Sequence, residues 1–188
     1  MEETLCSALK ITHSLVRAST SISAALAVLV VTACSSGGGD EKNYTVPRTQ
    51  CGISLDPELL DPFLPGGEEI VVKQSSPNGG TKRCDVIIDG ETVVREVQAW
   101  WNAGESVTAV ADACAKMDGG QVTDGDRYFY SSTGGVGKTA EPCKSTEHPA
   151  QDLYGVIQVF APDRADSDAM KNLITSYTKA LGGSGECR

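Results

Sequence analysis

The strongest constraint on this chain is a short uncharged run that ends at a cysteine and is followed by five more cysteines. Residues 18–33 carry no charge, Ala24–Val31 are wholly apolar, and the run closes on Val31-Thr32-Ala33-Cys34. Lys10 and Arg17 precede it, and after Glu3 no acidic residue occurs until Asp40. A membrane span needs about 20 apolar residues, so this run is too short for one and suits the central region of an export signal. A chain that crosses the bilayer folds where thiols can oxidise. The residues beyond the run are expected to form a domain stapled by disulfides.

Val31-Thr32-Ala33-Cys34 resembles the bacterial lipobox: an aliphatic residue, a small or β-branched one, Ala or Gly, then Cys. In lipoproteins with this motif the cysteine thiol receives diacylglycerol, and a peptidase then cuts just before it. A thiol is the side chain nucleophilic enough for that alkylation. Two acyl chains bury many methylenes at about 0.8 kcal/mol each, which anchors stably. The resemblance implies that residues 1–33 are a lipoprotein signal peptide and that Cys34 is the lipidation site. The mature chain is then expected on the extracytoplasmic side of the cell membrane. A translation start nearer Leu15 or Val16 would leave that mature chain unchanged.

Removing residues 1–33 from the 188 leaves 155, the size of one domain. Residues 34–50 contain Gly37-Gly38-Gly39 and no periodic apolar pattern, so they read as the lipidated cysteine and a flexible tether. Residues 51–188 read as a single domain. The net charge is -9, and residues 1–33 contribute nothing to it because Glu2 and Glu3 offset Lys10 and Arg17. An acidic domain without a basic stripe repels phosphate backbones, which argues against nucleic acid as a partner. It equally argues against adhesion to anionic headgroups through charge, so membrane attachment has to be covalent or apolar.

Asp56-Pro57-Glu58 predicts a short helix, with Asp56 as cap and Pro57 at the first helical position. Residues 69–73 predict a short strand and 75–80 a turn. Residues 83–89 and 92–101 predict two strands joined at Asp89-Gly90, a hairpin signal. Val107, Val110, Ala111, Cys114 and Met117 fall on one face of a helix that Gly119-Gly120 stops. Strands are expected at 127–131, near 136–142 and at 153–160. The last helix is capped by Asp166 or Ser167, buries Met170, Leu173, Ile174, Tyr177 and Leu181, and closes at Gly182-Gly183. Strands then helix, twice, predicts an α+β domain: an antiparallel sheet with helices packed on one face. A duplicated strand–helix unit would give that order, and so would chance.

With Cys6 lost and Cys34 lipidated, five cysteines remain: 51, 84, 114, 143 and 187. An odd number leaves at least one unpaired, and two bonds plus one free thiol allow about 15 arrangements. Cys114 lies on the apolar helix face, where a thiol behaves as a small hydrophobe. The other four lie at element edges, which favours Cys51–Cys84 and Cys143–Cys187. The rival joins Cys114 to Cys143 and leaves Cys187 free.

Further stretches carry a family resemblance. They are Cys51-Gly52, Leu55-Asp56-Pro57-Glu58-Leu59-Leu60, Phe63-Leu64-Pro65-Gly66 and Cys84-Asp85-Val86-Ile87-Ile88-Asp89-Gly90. Trp100-Trp101, Pro142-Cys143 and a terminal helix with a final cysteine follow. In these the chain resembles the small, cysteine-paired, uncharacterised lipoproteins plentiful in actinobacteria. The resemblance implies export, lipidation and disulfides, and it implies no activity.

Chemistry-bearing motifs are sparse. Gly134-Gly135-Val136-Gly137-Lys138-Thr139 approaches a phosphate-binding loop, but Ser132 stands where that motif needs glycine, so a glycine-rich hairpin turn is the expectation. His148, the one histidine after Cys34, sits in a polar loop and reads as a surface residue. No CxxC or paired-histidine spacing suggests a metal, and nothing suggests a cofactor. Acidic pairs such as Asp56 and Asp61, Glu68 and Glu69, and Asp124 and Asp126 read as solvated surface. Trp100 and Trp101 are adjacent on a strand and must point to opposite faces. One can fill the core while the other forms part of a ligand surface for a glycan, a small ligand or an envelope protein. These features favour a non-catalytic binding or interaction module of the cell envelope; the alternative is a secreted hydrolase acting on cell-wall or extracellular polymers.

Overall fold

The computed structural model describes residues 41–117, 119–140, 143 and 145–187. Cys34 and the expected signal peptide lie outside the described residues. The fold is mixed α+β and dominated by one sheet. A two-residue pair, β1 (Thr49–Gln50) and β2 (Ile53–Ser54), precedes the short helix α1 (Pro57–Leu60) and a 3-10 turn at Asp61–Phe63. Then come β3 (Ile70–Asn78), β4 (Thr81–Ile88) and β5 (Glu91–Asn102), the helix α2 (Val107–Asp112), and β6 (Gln121–Thr123). Next are β7 (Tyr128–Tyr130), β8 (Gly134–Lys138) and β9 (Gln151–Val159), followed by α3 (Ser167–Gly182). The large sheet has the order β3-β4-β5-β9-β8-β7-β6, with every neighbouring pair antiparallel.

Local chemistry accounts for the elements that the sequence marks clearly. Asp89 and Gly90 both take positive φ, 49° and 86°, as a tight two-residue hairpin requires. The Asp56 carboxylate accepts from Glu58 N at the start of α1, and the Asp166 carboxylate accepts from Ala169 N at 2.9 Å at the start of α3. Met170, Leu173, Ile174, Tyr177 and Leu181 are all buried, so the expected stripe of α3 is the observed one.

The expectation of helices on one face fails. Val94 and Trp100 of β5, with Leu153 and Ile157 of β9, pack under α3 and α1. Val97 and Ala99 of β5, with Tyr154 and Val156 of β9, pack under Val107, Val110 and Ala111 of α2. The two longer helices therefore cover opposite faces. The reason is legible in β9: Leu153 to Val159 is a continuous buried run rather than an alternating one, the signature of a strand covered on both sides. A two-fold relating the antiparallel neighbours β5 and β9 would keep both helices on one side. The repeated order of elements is thus not a repeated structure.

Other boundaries also move. β3 continues through Pro77 to Asn78, where proline is tolerated because β3 is an edge strand, and the turn shrinks to Gly79-Gly80. α2 stops at Asp112 rather than continuing to Met117, and Lys116 sits at φ 69°, outside helical space. Gly134-Gly135-Val136-Gly137-Lys138 is strand β8, neither turn nor phosphate loop. Its glycines are needed because a Cβ would stand 2.9 Å from Ile174 Cβ at Gly135 and 2.7 Å from Lys116 O at Gly134.

Residues 41–50, expected to belong to the tether, are fastened to the domain. Lys42 bridges Gly67, Asn43 N donates to Gly67 O at 2.9 Å, and Gly67 N donates to Glu41 O at 3.0 Å. Lys42 Nζ pairs with Asp61 at 2.8 Å, the Tyr44 hydroxyl donates to Pro65 O, and the Gln50 side chain is buried. The domain thus starts before Cys51. This seam lies beside Asp89, whose carboxylate accepts from the backbone of Glu68 and Glu69, at one end of the β4–β5 hairpin.

Candidate functional site

At the other end of that hairpin lies a cleft of about 340 Å³. Four separate stretches wall it: the start of β4 with Gly79-Gly80, the end of β5 with Gln98 and Trp100, and two segments from the last third of the chain. Those segments are residues 145–148 and the 3-10 turn at Gly185–Cys187. Trp100 is placed by the sheet. It sits opposite Leu153 of β9, and its N–H donates to Gly80 O at 2.9 Å.

His148 lies flat on Trp100, with ring centroids 4.7 Å apart and planes 13° from parallel. A local turn holds it there, in which His148 N donates to Ser145 O and Gln151 N donates to His148 O. His148 Nδ1 is 2.7 Å from Gln151 Oε1, and Gln151 Nε2 donates to Trp100 O at 3.4 Å. His148 is therefore half-buried and stacked, not the free surface residue expected. Its Nδ1 faces an amide rather than the carboxylate that would orient a general base. Lys82 and Glu186 form an ion pair across the cleft.

The two tryptophans do face opposite ways, but only one reaches the cleft. Trp100 is 8 % exposed and lines it, whereas Trp101 is half-buried against the α2 side of the core. Neither offers an open aromatic platform, because His148 covers Trp100.

Two disulfides brace this region. Cys51–Cys84 ties the β1–β2 turn to β4, with Cα atoms 5.9 Å apart. Cys143–Cys187, Cα atoms 4.5 Å apart, joins the segment leading to His148 to the turn carrying Glu186. The rival pairing of Cys114 with Cys143 is thereby ruled out. Cys114 is not a free thiol either; it is engaged, half-buried, just past the end of α2.

Below the cleft lies a residue that the sequence reading passed over. Glu96 of β5 is fully buried, and neither of its carboxylate oxygens has a hydrogen-bond partner. Burial pushes its carboxyl up to about 8. It shares the α3 face with Gln98, and its partners in the ladder are Cys84 and Ile157. Tyr177 of α3 lies over it, and burial first, then the Glu96 charge, raises the tyrosine hydroxyl well above its ordinary value. Glu96 was visible in principle: it falls in the inward register with Val94, Gln98 and Trp100.

Three of the six acidic residues in the pairs singled out from the sequence take structural tasks. Asp56 caps α1, Asp61 pairs with Lys42, and Glu68 accepts from Asn43. Among the described residues, no group of three His, Cys, Asp or Glu side chains could hold a metal ion. None of their helices is long and apolar enough to cross a membrane. Comparison with protein-family models, with curated proteins and with solved structures finds no match for this chain.

Proposed function

We propose that this chain is a lipoprotein of the cell envelope, acylated at Cys34 and held on the extracytoplasmic side of the membrane. There it acts as a non-catalytic binding module whose ligand site is the Trp100–His148 cleft. The observation that carries the site is the locked stack. An aromatic wall fixed by Gln151, a cleft volume within the range of small-ligand sites, and walls joined by Cys143–Cys187 make a pre-formed pocket rather than a random surface hollow. Its one histidine is oriented by an amide, which supports binding over hydrolysis.

Two disulfides at good distance agree with folding outside the cytoplasm. With residues 41–50 tied to the domain, only residues 35–40 separate Cys34 from the seam. A glycine-rich chain of that length reaches roughly 15 Å, so the domain rides close to the headgroups. Mass spectrometry of the native protein tests the anchor. The expected product begins at Cys34 and carries diacylglycerol, and Cys34→Ser releases or mislocalises the protein. Native protein that retains residues 1–33 without fatty acid would overturn the reading.

A further inference from the structure

We infer that Asn78 is a site of self-modification: in the folded domain the Gly79 nitrogen attacks its side-chain amide and converts it to aspartate and isoaspartate, which rebuilds one wall of the Trp100–His148 cleft. The inference holds whatever the cleft binds. Four asparagines occur in the chain, and Asn78 alone is followed by glycine. The other three are placed against the reaction. Asn43 donates its side-chain amide to Glu68, Asn172 lies inside α3, and Asn102 is followed by Ala103.

At Asn78 the geometry favours the step. The residue is exposed at the end of β3, beside the two-residue turn. Gly80 N donates to Asn78 Oδ1 at 3.0 Å, which folds the amide back over the turn and aims a donor at the oxygen where negative charge develops. Neither Gly79 N nor Asn78 Nδ2 makes a hydrogen bond among the described residues, so nucleophile and leaving group are both free. A Cβ built on Gly79 would meet nothing within 4 Å, so hydroxide reaches the nitrogen. Glycine also lets the backbone rotate into the angle of attack. Hydroxide takes the Gly79 N–H proton, and the nitrogen's electron pair forms a bond to Asn78 Cγ. The Cγ–Nδ2 bond then breaks, and ammonia leaves with a proton from water, which returns the hydroxide. Water opens the resulting cyclic imide at either carbonyl. One opening leaves aspartate; the other leaves isoaspartate, whose main chain runs through the former side chain and is one carbon longer.

The turn is part of the cleft. Gly79 and Gly80 line it, and Gly80 O accepts the Trp100 N–H at 2.9 Å. A longer chain before Gly79 disturbs that bond, and a new carboxylate stands at the rim.

The test holds the full-length, 15N-labelled protein at mildly alkaline pH for weeks. Trypsin then releases the peptide Gln74–Lys82 for mass spectrometry, beside a fresh sample and a synthetic peptide of the same sequence. That segment should gain the mass of an amide turned into an acid, ahead of the peptides holding Asn43, Asn102 and Asn172. Gly79→Ala, which has room to fold but crowds the attack, should slow the conversion about tenfold or more. Asn78→Ser, which keeps an oxygen for Gly80 N and has no amide to lose, should not convert. The Trp100 backbone amide signal should split as wild type ages and stay single in Asn78→Ser. A native segment that stays intact while the synthetic peptide converts overturns the inference. So does a Gly79→Ala variant that converts at the wild-type rate, or conversion of the other asparagines just as fast. Conversion that leaves the Trp100 amide unsplit overturns the coupling to the cleft.

Discussion

Gly137 of β8 lies so close beneath Thr178 of α3 that a Cβ at Gly137 would stand 2.0 Å from the threonine hydroxyl. Thr178 cannot swing aside freely, because it is buried and its hydroxyl donates to Ile174 O at 2.7 Å. Gly137→Ala should therefore cost about 1–3 kcal/mol through overpacking. Urea denaturation reads it directly, and Thr178→Ala in the same chain should restore part of the loss. An unchanged midpoint in the single variant would show that α3 does not press on the sheet there.

Glu96 sets a pH dependence whose sign can be worked out. In the unfolded chain its carboxyl ionises near its ordinary value of 4.5, and in the folded domain near 8. Between those values the native state holds a proton that the unfolded state has lost, so stability falls as pH rises. The contribution is fully present below pH 4.5, is lost as pH rises through about 8, and amounts to up to about 5 kcal/mol. Glu96→Gln keeps the shape and removes the titration. The difference between wild type and variant, measured by denaturation from pH 5 to 9, should slope downward and level off above 8. A flat difference would mean that Glu96 is ionised in the folded protein.

The Cys143–Cys187 bond spans 44 residues. Closing a loop of that size restricts the unfolded chain by about 4 kcal/mol. The double variant Cys143→Ser, Cys187→Ser should lose a comparable amount in guanidinium. Because the bond joins two walls of the cleft, the variant should also loosen the Trp100–His148 stack and shift tryptophan emission to the red. Stability lost without that spectral change would detach the disulfide from the site.

What the sequence revealed and what it hid divide along physical lines. α3 was legible because period, cap and glycine stop all agree within sixteen residues. The Asp89-Gly90 hairpin was legible because that pair favours positive φ. β8 was misread because its glycines answer to Ile174 and Thr178, some forty residues away, and not to a local turn. The cleft had no local signal, since its walls come from stretches around 80, 100, 147 and 186. Trp100 stands out in the sequence for its strand position and does line the cleft, but its partner His148 lies 48 residues on and no spacing rule joins them. Glu96 and the two-sided burial of β9 were readable from register and were not read.

The seam at Gly67 and the mouth at Trp100 sit at opposite ends of the same hairpin, roughly 30 Å apart at about 3.3 Å per strand residue. On the proposed reading of Cys34, the attachment point lies at the far end of the hairpin from the cleft, so the tether would leave the opening unobstructed.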